Sequence, residues 1–205
     1  MPKTGWAWRR ATATTTMALA TLLAVGGCVG AEPADVPTTP TAEETPTPTP
    51  SATADLTRLP EKPAAMAEPT TDGAIAAATH MLDLYGYTFA TRDTAPWRAM
   101  ALDTCGFCTE VTTSVDEMVA AGETSSGSTI TVTSSKSVEI SEDQWFSVDM
   151  TIVQSPSQRF DASGEPVGSG TGGEHRAVFA LSWSDGWRVD EMGVLPLEES
   201  PGAVG

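Results

Sequence analysis

Cys105-Gly106-Phe107-Cys108 is the segment of this 205-residue chain whose residue types and spacing carry the most chemistry. Two thiols separated by two residues can close a small disulfide, exchange it with another thiol, or supply two of the four ligands of a zinc ion. At a helix start the positive end of the backbone dipole lowers a thiol's pKa, and disulfide oxidoreductases use this to activate one cysteine. A thioredoxin-like site follows an apolar strand in a βαβ pattern, whereas here Trp97–Leu102 has helical character and the strand-like segments come later. Zinc would need two further ligands, and the two histidines, His80 and His175, lie in different elements without paired spacing, so no metal is expected. In an oxidising exterior the pair reads as a structural disulfide between Cys105 and Cys108, with thiol-disulfide activity as the alternative.

A second set of groups could serve acid–base chemistry. His80 and Asp83 stand three apart on one helical face, near Tyr85, Tyr87 and Asp103. A pocket with apolar walls can shift the pKa values of such side chains into a useful range, as in isomerases and dehydratases. None of them forms a recognisable dyad, so no catalytic residue and no cofactor is assigned. His80, Asp83, Tyr87, Trp145 and Trp183 are the candidate lining residues of a pocket for a small ligand or lipid. The competing role of Trp145, Trp183 and Trp187 is to fill the core.

The N-terminus decides which compartment those thiols meet. Lys3, Arg9 and Arg10 precede an apolar run, Met17–Ala20 and Leu22–Val25. The run has about a dozen residues against the ~20 that a spanning helix needs, so it fits a secretory signal. Val25-Gly26-Gly27-Cys28 resembles a bacterial lipobox, in which small side chains precede a cysteine whose thiol carries a diacylglyceryl group. Residues 1–27 then read as a lipoprotein signal peptide and Cys28 as the lipidated residue. Two acyl chains give stable anchoring, which places the protein outside the cytoplasm on the outer face of the cell membrane.

All 27 acidic residues and eight of the 11 basic ones follow Cys28, so the processed chain of 178 residues has a formal charge of −19. Phosphate-rich partners are bound through Lys and Arg, and this balance opposes both nucleic acid and anionic lipid headgroups. From Val29 to about Glu68 no apolar period exists; the chain reads Pro37-Thr38-Thr39-Pro40 and Thr45-Pro46-Thr47-Pro48-Thr49-Pro50. Proline fixes φ and removes donors, so residues 28–68 are expected to be a disordered, extended spacer. At about 3.1 Å per residue it would reach on the order of 100 Å, enough to hold a domain off the membrane. The chain has no Asn and hence no N-linked glycosylation site.

Helical spacing begins after Pro69-Thr70-Thr71-Asp72, where Thr or Asp can cap, and continues through Ile75, Ala78, Leu82, Tyr85 and Phe89. Leu84 and Tyr87 make the other side apolar as well, which predicts a central helix. Thr94 as cap and Pro96 in the first turn predict a second helix; Val111, Val115, Met118 and Val119 predict a third, ended by Gly122. After Gly127 the period becomes alternating: Ile130, Val132, Val138 and Ile140 on one face, then Phe146, Val148, Met150 and Ile152. A Gly-rich loop, Gly164–Gly173, is expected before the alternating run Ala177, Phe179, Leu181 and Trp183. Ser184-Asp185-Gly186 is a tight-turn signal before Trp187. Helices first and an antiparallel meander afterwards predict an α+β fold.

Pro63-Ala64-Ala65-Met66, Pro69-Thr70, Gly73-Ala74, Tyr85-Gly86-Tyr87, Ala90-Thr91-Arg92-Asp93-Thr94 and Cys105-Gly106-Phe107-Cys108 together resemble an actinobacterial family of secreted lipoproteins of unknown function. The resemblance implies a nuclear transport factor 2-like cone over residues 69–195, a curved, mostly antiparallel sheet wrapped on the helices, with a flexible tail at 196–205. It implies no catalytic residue. The expected function is therefore that of a lipid-anchored, non-catalytic binding or protein-interaction module, with an envelope protein or a second copy as partner. Small-ligand or lipid binding, or isomerase- or dehydratase-like catalysis in the cone pocket, is the alternative.

Overall fold

The protein is described by a computed structural model over residues 55–197. The expected signal peptide, Cys28, most of the spacer and the end of the tail lie outside those residues.

Helix α1, Thr71–Thr91, is the centre of the fold. Thr70 caps it, its hydroxyl accepting from the Gly73 amide at 3.0 Å, and Arg92 closes it in the left-handed conformation at φ 65°. Ala74, Ala77, Ala78, Met81, Leu82 and Leu84 are all buried, so the helix is covered on most of its circumference. Helix α2, Ala95–Met100, starts with Pro96 in its first turn. Thr94 does not cap it through its side chain; the Asp93 carboxylate accepts from the Ala95 amide at 3.0 Å, and the Thr94 hydroxyl accepts from Arg98. Helix α3, Gly106–Ala121, ends at Gly122 with φ 70°, where a side chain would be strained.

Among the described residues seven antiparallel strands form two sheets: β1 Thr124–Gly127, β2 Ile130–Ser141, β3 Trp145–Gln154, β4 Ser157–Phe160, β5 Pro166–Gly170, β6 Gly173–Trp183 and β7 Trp187–Pro196. The main sheet has the order β2-β3-β6-β7 and the smaller one β1-β4-β5. Phe146, Val148, Met150 and Ile152 of β3, with Ala177, Phe179 and Leu181 of β6, point inward and bury against α1, Trp97 and Met100. Asp185 and Gly186 take positive φ in the turn between β6 and β7, as the Ser-Asp-Gly signal predicts.

Besides the Thr94 cap, three expectations need correction. The Gly-rich stretch is not a loop throughout: Pro166–Gly170 pairs with β4, and Ser157 packs so closely on Gly170 that a Cβ there would stand 2.7 Å from its hydroxyl. In β2 a bulge between Val132 and Ser134 reverses the alternation. Val132 faces the core opposite Ile152, but Val138 pairs with the outward Ser147, and Ile140 is 68% exposed. The spacer boundary at residue 68 also moves. Residues 55–68 belong to the fold, with a turn at Asp55–Arg58, a 3-10 turn over Ala64–Ala67, and Glu68 packed so tightly on Gly73 that a Cβ there would stand 2.2 Å from its carbonyl oxygen.

Candidate functional site

Between α1, the start of α3 and the inner face of the main sheet lies a cavity of about 360 Å³, within the size range of ligand sites. Leu82, Phe107, Ile130, Ile152, Met192, Val194 and Pro196 form its apolar wall. Its polar members are Tyr85, Gln154 and His175, and no Asp, Glu, Lys or Arg side chain lines it. In so acidic a chain a lining without Asp, Glu, Lys or Arg is selective: it favours apolar surface and hydrogen-bonding groups over ionic ones.

Each polar group is placed by an identifiable element. Tyr85 leaves α1 with its ring between Phe89, at 4.8 Å, and Trp97, at 6.2 Å, which fixes the hydroxyl's direction. Burial pushes the phenol's pKa above its usual value, while hydrogen bonds with Gln154 and Ser128 act the other way, so the phenol stays protonated at neutral pH. Gln154 Nε2 donates to Ser128 Oγ at 2.6 Å. Ser128, at φ 66°, is the left-handed residue that turns the chain from β1 into β2 and brings its hydroxyl beneath the sheet. His175 pairs across the sheet with Ile152, so both reach the same wall.

The cysteine motif serves this cavity from behind. Cys105 and Cys108 are joined in a disulfide and both are buried. The Cys105 residue caps α3, and the Trp97 indole donates to the Cys108 carbonyl at 3.1 Å. Between them, Phe107 extends into the cavity wall. Thiol exchange needs access to a sulfur, which this packing denies.

The candidate pocket residues do not converge. Asp83 and Tyr87 line a second cavity of about 360 Å³ beside the Asp55–Glu61 segment, where the Tyr87 hydroxyl donates to Asp93 at 3.1 Å. Burial raises the pKa of Asp83 even though its side chain keeps access to water. His80 lines a third cavity on another side of α1, so His80 and Asp83, three apart on the helix, face different cavities. Trp145 stands 44% exposed on the outer sheet face. Trp183 packs edge-on against Trp187 at 5.2 Å, and Trp187 in turn against Phe146 at 5.0 Å. Asp103 lies with Arg98 and Leu102, away from the other acid–base candidates. Among the described residues no three His, Cys, Asp or Glu side chains are placed to hold a metal ion.

Gln154, Ser128, His175 and Phe107 escaped the sequence reading. Gln154 was legible in principle: it continues the inward series Phe146, Val148, Met150, Ile152 by one further step of two, and His175 likewise begins the series ending in Leu181. A polar residue at the end of an inward-facing series marks the open end of the space beneath a sheet.

A model for a family of unknown function, DUF6318, matches residues 41–193. No curated protein matches the chain. Among solved structures, the intermembrane space region of the chloroplast protein ARC6 is similar with a TM-score of 0.50 at 12% identity, covering 62% of this chain and 97% of that one. That likeness concerns the fold alone.

Proposed function

The chain belongs to the family of unknown function DUF6318, and from that premise and the geometry above we propose that it is a non-catalytic receptor for a small, uncharged, largely apolar molecule held between α1 and the main sheet. The observation that carries this is the composition of the cavity walled by Phe107 and Val194: seven apolar residues, three polar ones (Tyr85, Gln154 and His175) and no Asp, Glu, Lys or Arg. The tyrosine, amide and imidazole orient a ligand's polar atom, and the apolar wall supplies the affinity. Catalysis has no support in the arrangement, since Gln154 is engaged with Ser128 and burial holds the Tyr85 phenol protonated. The helices packed on a curved sheet fit a nuclear transport factor 2-like cone, with this cavity at its mouth.

The same reading places the domain outside the cytoplasm, tethered through a diacylated Cys28 by a Pro/Thr-rich spacer, so that the ligand is an envelope or extracellular molecule. Cys28→Ser should release the protein from the membrane fraction into the medium; retention in membranes refutes the anchor. For the cavity, native mass spectrometry of protein gently released from its own envelope should find a reproducible neutral adduct. Val194→Trp, at the half-buried rim, should abolish the adduct while leaving the melting temperature within a few degrees. An adduct equally abundant in wild type and variant overturns the assignment.

A second copy of the chain is the second reading of the outer sheet face. The β2 bulge brings Val138 and Ile140 to that face near Trp145, all three exposed. Sedimentation of wild type and Ile140→Asp at high concentration tests it: a wild-type monomer removes this reading.

A further inference from the structure

The third cavity, about 370 Å³, is built differently from the first. His80 from α1 and Trp187 from β7 line it, 2% and 4% exposed. His80 Nδ1 and Trp187 Nε1 are both buried without a hydrogen-bond partner. Native structures leave few such groups, because a buried donor that loses water and gains nothing is costly. The two residues, from two unrelated elements, line the same cavity.

Its charge is also unlike that of the first cavity, which no Lys or Arg lines. Arg58, Arg98, Arg159 and Arg176 hold carboxylates. Lys62 and Arg188, which line this cavity, form no ion pair among the described residues; the Arg188 guanidinium is instead fixed to α2 by donating to the Ala99 carbonyl. Asp185 is the one carboxylate at the wall against these two cations. Met66, Leu84 and Met100 supply apolar surface on the same wall. Burial and the positive charge of Lys62 push the His80 pKa down, so the imidazole is neutral and available as a hydrogen-bonding group rather than as a third cation.

We propose that this cavity binds a small organic carboxylate, its head group on Lys62 and Arg188 with the Trp187 and His80 nitrogens as hydrogen-bond partners, and its alkyl body on Met66, Leu84 and Met100. Both ring nitrogens are covered in the free protein, so entry of the head group parts the cavity wall. The site is distinct from the uncharged cavity and independent of what that cavity holds.

The test compares octanoate with 1-octanol, equal in length and different in charge, on the ¹⁵N-labelled full chain. The Trp187 indole N–H signal, assigned by its absence in Trp187→Phe, is the readout. Octanoate should shift it saturably and octanol should not, and the double variant Lys62→Gln, Arg188→Gln should weaken octanoate at least tenfold. Both substituted side chains are exposed, so the rest of the spectrum should stay unchanged. Equal shifts with octanol, wild-type affinity in the double variant, shifts confined to the backbone N–H signals of Ile152 and Val194, or no saturable shift at all would each overturn the proposal.

Discussion

The side chain of Leu56 lies on the bare backbone of Gly86, so closely that a Cβ added there would stand 2.9 Å from Leu56 Cδ2. The glycine sits in the middle of α1, where it weakens the helix by roughly 1 kcal/mol relative to alanine. What it permits is the docking of the Asp55–Glu61 segment on the helix.

Gly86→Ala should therefore separate two properties. The helix gains propensity while the docked segment is pushed away, so the melting temperature should change by only a few degrees. Trypsin should meanwhile cut after Arg58 several-fold faster; Lys62 precedes Pro63 and is a poor site, which keeps the readout at one bond. Leu56→Ala should give the same faster cleavage without any gain in helix stability. Unchanged cleavage in both variants would show that the segment is held by other contacts.

The disulfide closes a ring of four residues, for which the loop-entropy relation gives about 2 kcal/mol. Cys105→Ala, Cys108→Ala should lower the unfolding free energy by about that amount in denaturant melts, and somewhat more if Phe107 also loosens. Because both sulfurs are buried, the wild-type protein should show no reductase activity on a disulfide substrate. Reduction of such a substrate at a rate abolished by the double variant would contradict the structural role.

Tyr85→Phe removes a hydroxyl from the hydrogen-bonded set of Tyr85, Gln154 and Ser128 but leaves the Gln154–Ser128 bond of 2.6 Å intact. The expected loss is about 1 kcal/mol, the usual net value of one such bond, measured by urea unfolding. Gln154→Leu should cost more, since it removes the donor to the buried Ser128 hydroxyl.

His80 and Asp83 should act on stability with opposite sign. The folded-state pKa of His80 lies below the unfolded value near 6.5, through burial first and Lys62 second. Below that pH the unfolded chain takes up a proton that the folded one resists, so stability present at neutral pH is lost as the solution is acidified. His80→Gln should flatten that fall. Asp83 has a folded-state pKa raised above 3.8 by burial, so its ionisation weakens the fold as pH rises through the window above that value. Asp83→Asn should make the protein more stable at pH 7, by a small amount because the side chain still reaches water, and the gain should vanish below pH 3.8. Urea melts of both variants between pH 3 and 8 measure each sign.

The sequence by itself determined what short-range chemistry encodes. Thr70 capping α1, Gly122 ending α3, the turn at Asp185-Gly186 and the inward series of β3 all follow from preferences acting within a few residues. Tertiary structure decided the rest, because the deciding partner is distant in the chain. One extra residue near Thr133 turned Val138 and Ile140 outward, a choice made by pairing with β3 and invisible to period-two counting. Leu56 and Gly86 are thirty residues apart, and Ser128 and Gln154 twenty-six. His80 and Asp83 share a helical turn yet face different cavities, since a helix wrapped on nearly every side has no single buried face for a sequence pattern to reveal.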